Sequence, residues 1–182
     1  MNGFYIAIGR QGSGKTLLIT KYCIDTHHET DRPIFSNYSL FGVNYRPITF
    51  DTSLDPHKIS ILDKLDEEPD FFNGSIMLLD EIHLYLDSLD FMRKNNRRLQ
   101  TFFSQLRKRK ILLLATTQYI MNVDIRIRRQ CMNVFDIEHI YKDLFKVTTS
   151  DIDGYFTKEI STYQIVLNGY YNYYDTNEIV SE

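Results

Sequence analysis

The sequence predicts an α/β fold with a mainly parallel central sheet flanked by helices and a β-rich carboxyl-terminal part, and three observations carry that expectation. An apolar run, Phe4 to Ile8, leads into a glycine-rich turn and then a helical pattern at Leu17, Leu18 and Tyr22. Two later apolar runs, Ser75 to Glu81 and Ile111 to Gln118, turn abruptly polar at their carboxyl ends, as strands buried on both faces do. The last third alternates instead, in Val134-Phe135-Asp136-Ile137 and Tyr163 to Leu167, with Asp153-Gly154 and Asn168-Gly169 as turn signals.

Each element follows in order. Residues 3 to 9 are expected as strand and 15 to 27 as helix. Pro33 to Leu40 suits a strand, with Pro33 at its start where no ladder donor is lost. Phe41 to Phe50 is loop or a short edge strand, and Asp55-Pro56 opens a short amphipathic helix through Ile59, Leu62 and Leu65. An acidic loop, Asp66 to Gly74, leads into the second apolar run. Residues 89 to 109 put Leu89, Met92, Leu99, Phe102, Phe103 and Leu106 on one helical stripe, with arginine and lysine outward. Tyr170 to Tyr174 holds four tyrosines in five residues, read as a β-surface against the main sheet in preference to a base-stacking platform. At 182 residues one domain, 1 to 182, is expected, with a β-rich extension from about 133; no linker or repeat divides the chain.

The chemistry concentrates at three places. Gly9-Arg10-Gln11-Gly12-Ser13-Gly14-Lys15-Thr16 fits G-x-x-x-x-G-K-[ST] at every fixed position, between a strand and a helix. Such a loop turns its amides inward around phosphates, so side chains at its glycines would obstruct the wrap. Lys15 reaches the β/γ-phosphates, Thr16 offers its hydroxyl to Mg²⁺, and the cradle runs from Gly9 through Leu17 at a helix amino terminus. These residues imply ATP with Mg²⁺ as the ligand. Asp80 and Glu81 close the second strand: Asp80 is the candidate for the Mg²⁺ shell, and Glu81 for the base that takes a proton from the attacking water. Gln118, ending the third strand, is expected between Lys15 and Asp80, where an uncharged amide could sense the γ-phosphate.

Composition narrows the classes. No apolar run approaches the length that spans a membrane, and the amino terminus enters the first strand with no signal peptide. Cys23 and Cys131 stand apart, without metal-like spacing, and read as buried reduced thiols; the five histidines form no metal cluster. The net charge of −3 hides segregation: between Arg93 and Arg129 lie eleven basic residues against Asp124 alone. A positive segment in an acidic protein suggests a polyanion as partner. Arg93, Lys94, Arg97, Arg98, Arg107, Lys108, Arg109 and Lys110 are the candidate nucleic-acid contacts.

Strands carrying Lys15, Asp80-Glu81 and Gln118 in that chain order match the additional-strand, catalytic-glutamate branch of phosphate-loop NTPases. With Gln105-Leu106-Arg107-Lys108-Arg109, Val123 to Arg128 and Tyr174 to Glu178, the chain resembles the HerA/FtsK superfamily of DNA-pumping ATPases. Within it, the likeness is greatest to viral genome-packaging ATPases and to the zonula-occludens-toxin-like assembly ATPases of phages. That resemblance implies a ring, commonly a hexamer, in which an arginine from one subunit completes the next subunit's site; Arg126, Arg128 and Arg129 are the candidates. It further implies double-stranded DNA and a capsid vertex or portal protein as partners, and a location in the host cytoplasm or at the virion vertex. The toxin-like proteins usually continue into a membrane span that this chain is without, so packaging of viral DNA into a capsid is the expectation. A phage assembly, export or conjugation ATPase, a small nucleotide kinase, and a nucleotide-gated scaffold stay open as alternatives.

Overall fold

The computed structural model describes residues 1–50, 56–86, 94–153 and 157–175, the side chains of 94–97 excepted. Nine strands form one sheet in the order β4-β3-β2-β5-β6-β1-β7-β8-β9. They are β1 (Gly3–Ile8), β2 (Ile34–Ser36), β3 (Tyr45–Thr49), β4 (Ile59–Ser60), β5 (Ile76–Leu79), β6 (Leu112–Thr116), β7 (Cys131–Tyr141), β8 (Leu144–Ile152) and β9 (Thr157–Val166). From β4 to β7 every pairing is parallel; β8 and β9 then add antiparallel. The additional strand expected of the class is β6, which separates β1 from β5.

The central strands read as unbroken apolar runs because both faces are covered. Phe4 and Ile6 of β1, Met77 and Leu79 of β5, and Leu113 and Ala115 of β6 face one core with Phe102, Phe103 and Leu106. Their neighbours Tyr5, Ala7, Ile76, Leu78, Leu112 and Leu114 face the other, against Leu17, Leu18 and Cys23. Helix α1 (Lys15–Thr30) covers the second core; α2 (Ile61–Glu67), α3 (Lys94–Gln105) and α4 (Ile125–Arg128) belong with the first. Among the described residues no helix is long and apolar enough to cross a membrane.

Several expectations change. The short helix does not open at Asp55-Pro56: Ile59 and Ser60 form β4, and Ser60 Oγ caps α2 by accepting from the Asp63 N–H at 3.1 Å. β3 pairs with β2 on one side and β4 on the other, so it is neither loop nor edge. The stripe Leu99, Phe102, Phe103, Leu106 is buried as expected. Its helix, however, stops at Gln105, where Arg109 folds back to donate from Nε to Gln105 Oε1 at 3.0 Å. Tyr170–Tyr173 is a 3-10 turn, not a β-surface, docked on α1 by a 2.6 Å bond from the Tyr170 hydroxyl to Asp25. Asn168-Gly169 leads into that turn, whereas the β7–β8 hairpin turns at Lys142, with φ 48°. Leu89, Met92, Arg93, Asp55, Gly154 and Thr176 to Glu178 lie outside the described residues.

The amino-terminal edge of the sheet is stapled by Arg32. Its guanidinium donates to the carbonyls of Gly74 (2.8 Å), Met1 (3.1 Å), Ser75 and Lys110 (both 2.5 Å). Nothing but a fork of planar donors could serve these acceptors together.

Candidate functional site

The phosphate loop and the Asp80-Glu81 pair lie at the opposite, carboxyl edge. Buried β1 delivers Gly9, and the loop tightens through a 3.1 Å bond from the Ser13 N–H to the Arg10 carbonyl. Gly14 then starts α1 at φ 98°, ψ 17°. The first helical bond runs from Leu18 N–H to Gly14 O at 2.9 Å. The amides of Lys15, Thr16 and Leu17 therefore have no partner within the helix. No side chain caps this end and no acid sits in its first turn, so its positive dipole faces the loop. Lys15 is buried, with Nζ donating to Arg10 O at 3.1 Å. Ser13 Oγ is buried without a hydrogen-bond partner among the described residues.

Asp80 directly follows β5, and its carboxylate receives Thr16 Oγ1 at 3.0 Å and a short bond from Thr116 Oγ1. Asn37, just past β2, grips the Asp80 backbone on both sides: Nδ2 donates to Asp80 O at 3.0 Å and Oδ1 accepts from Asp80 N–H at 2.8 Å. Glu81 follows with φ 49°, a left-handed backbone costly for a residue with a Cβ, and its N–H donates to Thr116 Oγ1 at 2.9 Å. The Glu81 carboxylate lies 3.3 Å from His83 Nδ1, which is also 3.2 Å from Thr117 Oγ1; Glu81 Oε2 is buried without a hydrogen bond among the described residues. Asn37 and His83 were not singled out from the sequence, and Thr116 and Thr117 only as part of the polar end of the strand that leads to Gln118. Asn37 carried the usable signal, since Ile34-Phe35-Ser36-Asn37 repeats the apolar-to-polar ending of the other central strands.

Gln118 ends the β6 run on the loop side of the sheet. Thr116 takes the position beside Asp80, while Gln118 is exposed and lines a hollow with Gly9 to Ser13. Of the arginines after β6, Arg128 is buried with its guanidinium against Met121. Arg126 is exposed and paired with Asp124 at 3.1 Å, and Arg129 is exposed. Among the described residues the basic segment does not form one surface. Arg98 pairs with Asp66 at 2.5 Å and Arg109 is spent on Gln105 and Pro69. Arg107, Lys108 and Lys110 are exposed just before β6, hence at the edge of the sheet away from the phosphate loop.

Two hollows flank the loop. One of about 1130 Å³ runs past Arg10 and Gln118 to Asp136 and Glu138. Burial, then Glu138, raises the Asp136 carboxyl above its ordinary value. The other, about 330 Å³, lies between Gly14 to Leu17 and the rings of Phe145, Tyr171 and Tyr174. Burial comes first among the causes that push the Tyr174 hydroxyl up to about 12. Beside the loop, Thr16 and Asp80 converge two hard oxygen donors, which suit Mg²⁺ and would hold it through one hydroxyl and one carboxylate.

The comparisons agree on the fold. A family model described as zonular occludens toxin (Zot) matches residues 3–176. None of the curated proteins compared with the chain matches it. The crystal structure of the N-terminal domain of zonular occludens toxin from Neisseria meningitidis superposes with a TM-score of 0.72 at 19% identity, covering 96% of this chain and 100% of that one. The genome packaging NTPase B204 of Sulfolobus turreted icosahedral virus 2, in complex with AMP, gives 0.58 at 12% identity over 88% and 97%. B204 from Sulfolobus turreted icosahedral virus, titled a DNA-packaging ATPase, gives 0.58 at 16% over 88% and 98%. The architecture is thus that of a phosphate-loop NTPase with carboxyl-terminal antiparallel strands.

Proposed function

The chain belongs to the zonular occludens toxin family, and from that premise we propose that it is an ATP-hydrolysing motor that moves viral DNA, in its fullest form a translocase driving duplex DNA into a capsid. The observation that carries the reading is the meeting of Lys15, Thr16, Asp80 and Glu81 at one sheet edge, under a helix amino terminus with no acid of its own. In this reading Gly9, Arg10, Gln11, Gly12, Ser13, Gly14 and Leu17 line the phosphate track, and Lys15 neutralises the β/γ-phosphates. Mg²⁺ held by Thr16 and Asp80 would withdraw charge from the phosphate oxygens. Water adds to the γ-phosphorus, the bond to the departing ADP oxygen breaks, and Glu81 accepts the water's proton after leaving His83.

Gln118 reports on the γ-phosphate from the far wall of the loop. Arg126 and Arg129 are the arginines that could complete a neighbour's site in a ring. Arg93, Lys94, Arg97, Arg107, Lys108 and Lys110 are the proposed DNA contacts, reading backbone charge and not sequence. The site of action is the host cytoplasm or a virion vertex. A second ending for the same motor, DNA export during phage assembly, is favoured by the family match along almost the whole chain.

Steady-state ATP hydrolysis, measured with duplex DNA, with single strands and without DNA, tests both. Salt-sensitive stimulation by duplex that disappears in Lys15→Ala and Glu81→Gln supports packaging. Stimulation by single strands alone favours export. Hydrolysis indifferent to DNA refutes both motors and returns the kinase and scaffold alternatives.

A further inference from the structure

Glu81 lines neither hollow beside the phosphate loop, whereas Gln118 and Tyr119, from the end of the neighbouring strand, both line the larger one. Its carboxylate is turned toward His83 instead. Residues two apart do not meet on a regular helix. Here φ 49° at Glu81 and the 3-10 turn Ile82–Leu84, closed by the Leu84 N–H on Glu81 O at 3.0 Å, bring the pair together. His83 Nδ1 then stands 3.3 Å from Glu81 Oε2 and 3.2 Å from Thr117 Oγ1. We infer that His83 is a positioning residue, a latch that holds the Glu81 carboxylate at rest and, through Thr117, ties its release to the strand end that carries Gln118. The inference rests on the reading of Glu81 as the base given above.

Donors and acceptors allow this group two arrangements. The carboxylate only accepts, while the Thr117 hydroxyl has one proton and a second acceptor in the Tyr119 carbonyl at 3.4 Å. With a proton on Nδ1, the imidazole points a donor at Glu81 and Thr117 donates to Tyr119 O. With Nδ1 bare, Thr117 donates to it, and the carboxylate faces a lone pair and is let go. Glu81 Oε2 makes no hydrogen bond among the described residues, so at 3.3 Å the carboxylate is parked and not locked. Thr117 is fully buried, its N–H fixed on Ala7 O at 3.1 Å, whereas Tyr119 is 61% exposed. A ligand pressing on Gln118 and Tyr119 therefore displaces the acceptor of the Thr117 proton, which turns to His83. The ring then gives its Nδ1 proton to solvent as Nε2 gains one, an exchange open to a side chain 23% exposed.

Steady-state hydrolysis and nitrogen chemical shifts of His83 test this in wild type, His83→Phe, His83→Asn and Thr117→Val, each first shown to be folded by circular dichroism. His83→Phe keeps a ring and loses the donor; its kcat is expected to rise about three- to tenfold, the scale of one hydrogen bond, at unchanged KM. His83→Asn, whose amide can stand where Nδ1 does, is expected to return the rate to that of wild type. The shifts should show a proton on Nδ1 in nucleotide-free wild type and a bare Nδ1 once a non-hydrolysable ATP analogue is added, a change that Thr117→Val abolishes. Unchanged or lowered kcat in His83→Phe, or a bare Nδ1 without nucleotide, overturns the latch. An analogue that leaves Nδ1 as it was, or the same change in Thr117→Val, overturns the tie through Thr117. Glu81→Gln that hydrolyses as fast as wild type refutes Glu81 as the base, and the latch with it.

Discussion

Replacing Gly14 by alanine should cost far more than the same change at Gly12, although both glycines belong to one motif. At Gly14 φ is 98°, and an added Cβ would meet Phe145 Cε1 at 2.6 Å and Cδ1 at 3.0 Å. The left-handed backbone costs a residue with a Cβ about 1–2 kcal/mol, and displacing a buried ring adds about 1–3, so Gly14→Ala should lose about 2–5 kcal/mol. At Gly12 φ is 74°, but no atom lies within 4 Å of the new methyl. Only the backbone cost remains, about 1–2 kcal/mol. A domain of ordinary stability, about 5–15 kcal/mol, survives either change, so urea unfolding can measure both. The midpoint should fall much further for Gly14→Ala, with the slope unchanged. Equal losses, or Gly12→Ala the worse, would refute the packing of the loop against Phe145.

Thr116→Val removes the hydroxyl that donates to Asp80 and accepts from Glu81 N–H; hydrolysis should fall roughly 10–100-fold in titrations of Mg²⁺ at fixed ATP, while the fold is kept. Arg32→Met strips donors from the carbonyls of Gly74, Ser75 and Lys110 and should destabilise by about 2–4 kcal/mol in thermal unfolding, with Arg32→Lys restoring little. Burial pushes the thiols of Cys23 and Cys131 up to about 12, which disfavours the thiolate form. At about pH 8 only on the order of 10⁻⁴ of each is thiolate, so iodoacetamide should label the folded protein slowly and both cysteines quickly in guanidinium. Rapid labelling of the folded chain would contradict the burial of these side chains.

What the sequence disclosed was local or periodic. The phosphate loop depends on consecutive residues, and strands buried on both faces announce themselves as apolar runs ending in acids or amides. Asn37 escaped notice because its meaning depends on β2 lying beside β5, a pairing that no local pattern reveals. The part played by Thr116 escaped because it is set by the strand order, which puts β6 against β5 and so a plain hydroxyl next to Asp80. Charge counting found the basic segment but not its dispersal. Arg98 and Arg109 are committed within the subunit, and whether an arginine is committed depends on partners such as Asp66 and Pro69, well away in sequence. The tyrosine run gave composition without geometry, since φ 89° at Gly169 turns the chain into a 3-10 turn and not onward as a strand.

The packing of Phe145 against Gly14 also orders events during synthesis. The phosphate loop leaves the ribosome well before β7 and β8, to which its floor belongs. Because β1 takes its partners β6 and β7 from far down the chain, the parallel centre of the sheet is a set of non-local contacts that form slowly. A nascent chain ending before β8 carries the complete motif and Ile137 of β7 but not the Phe145 ring against Gly14, so the loop is fully braced only when β8 docks. Nucleotide in the surrounding cell then acts as a late clamp, drawing the finished sheet toward its native pairing by mass action.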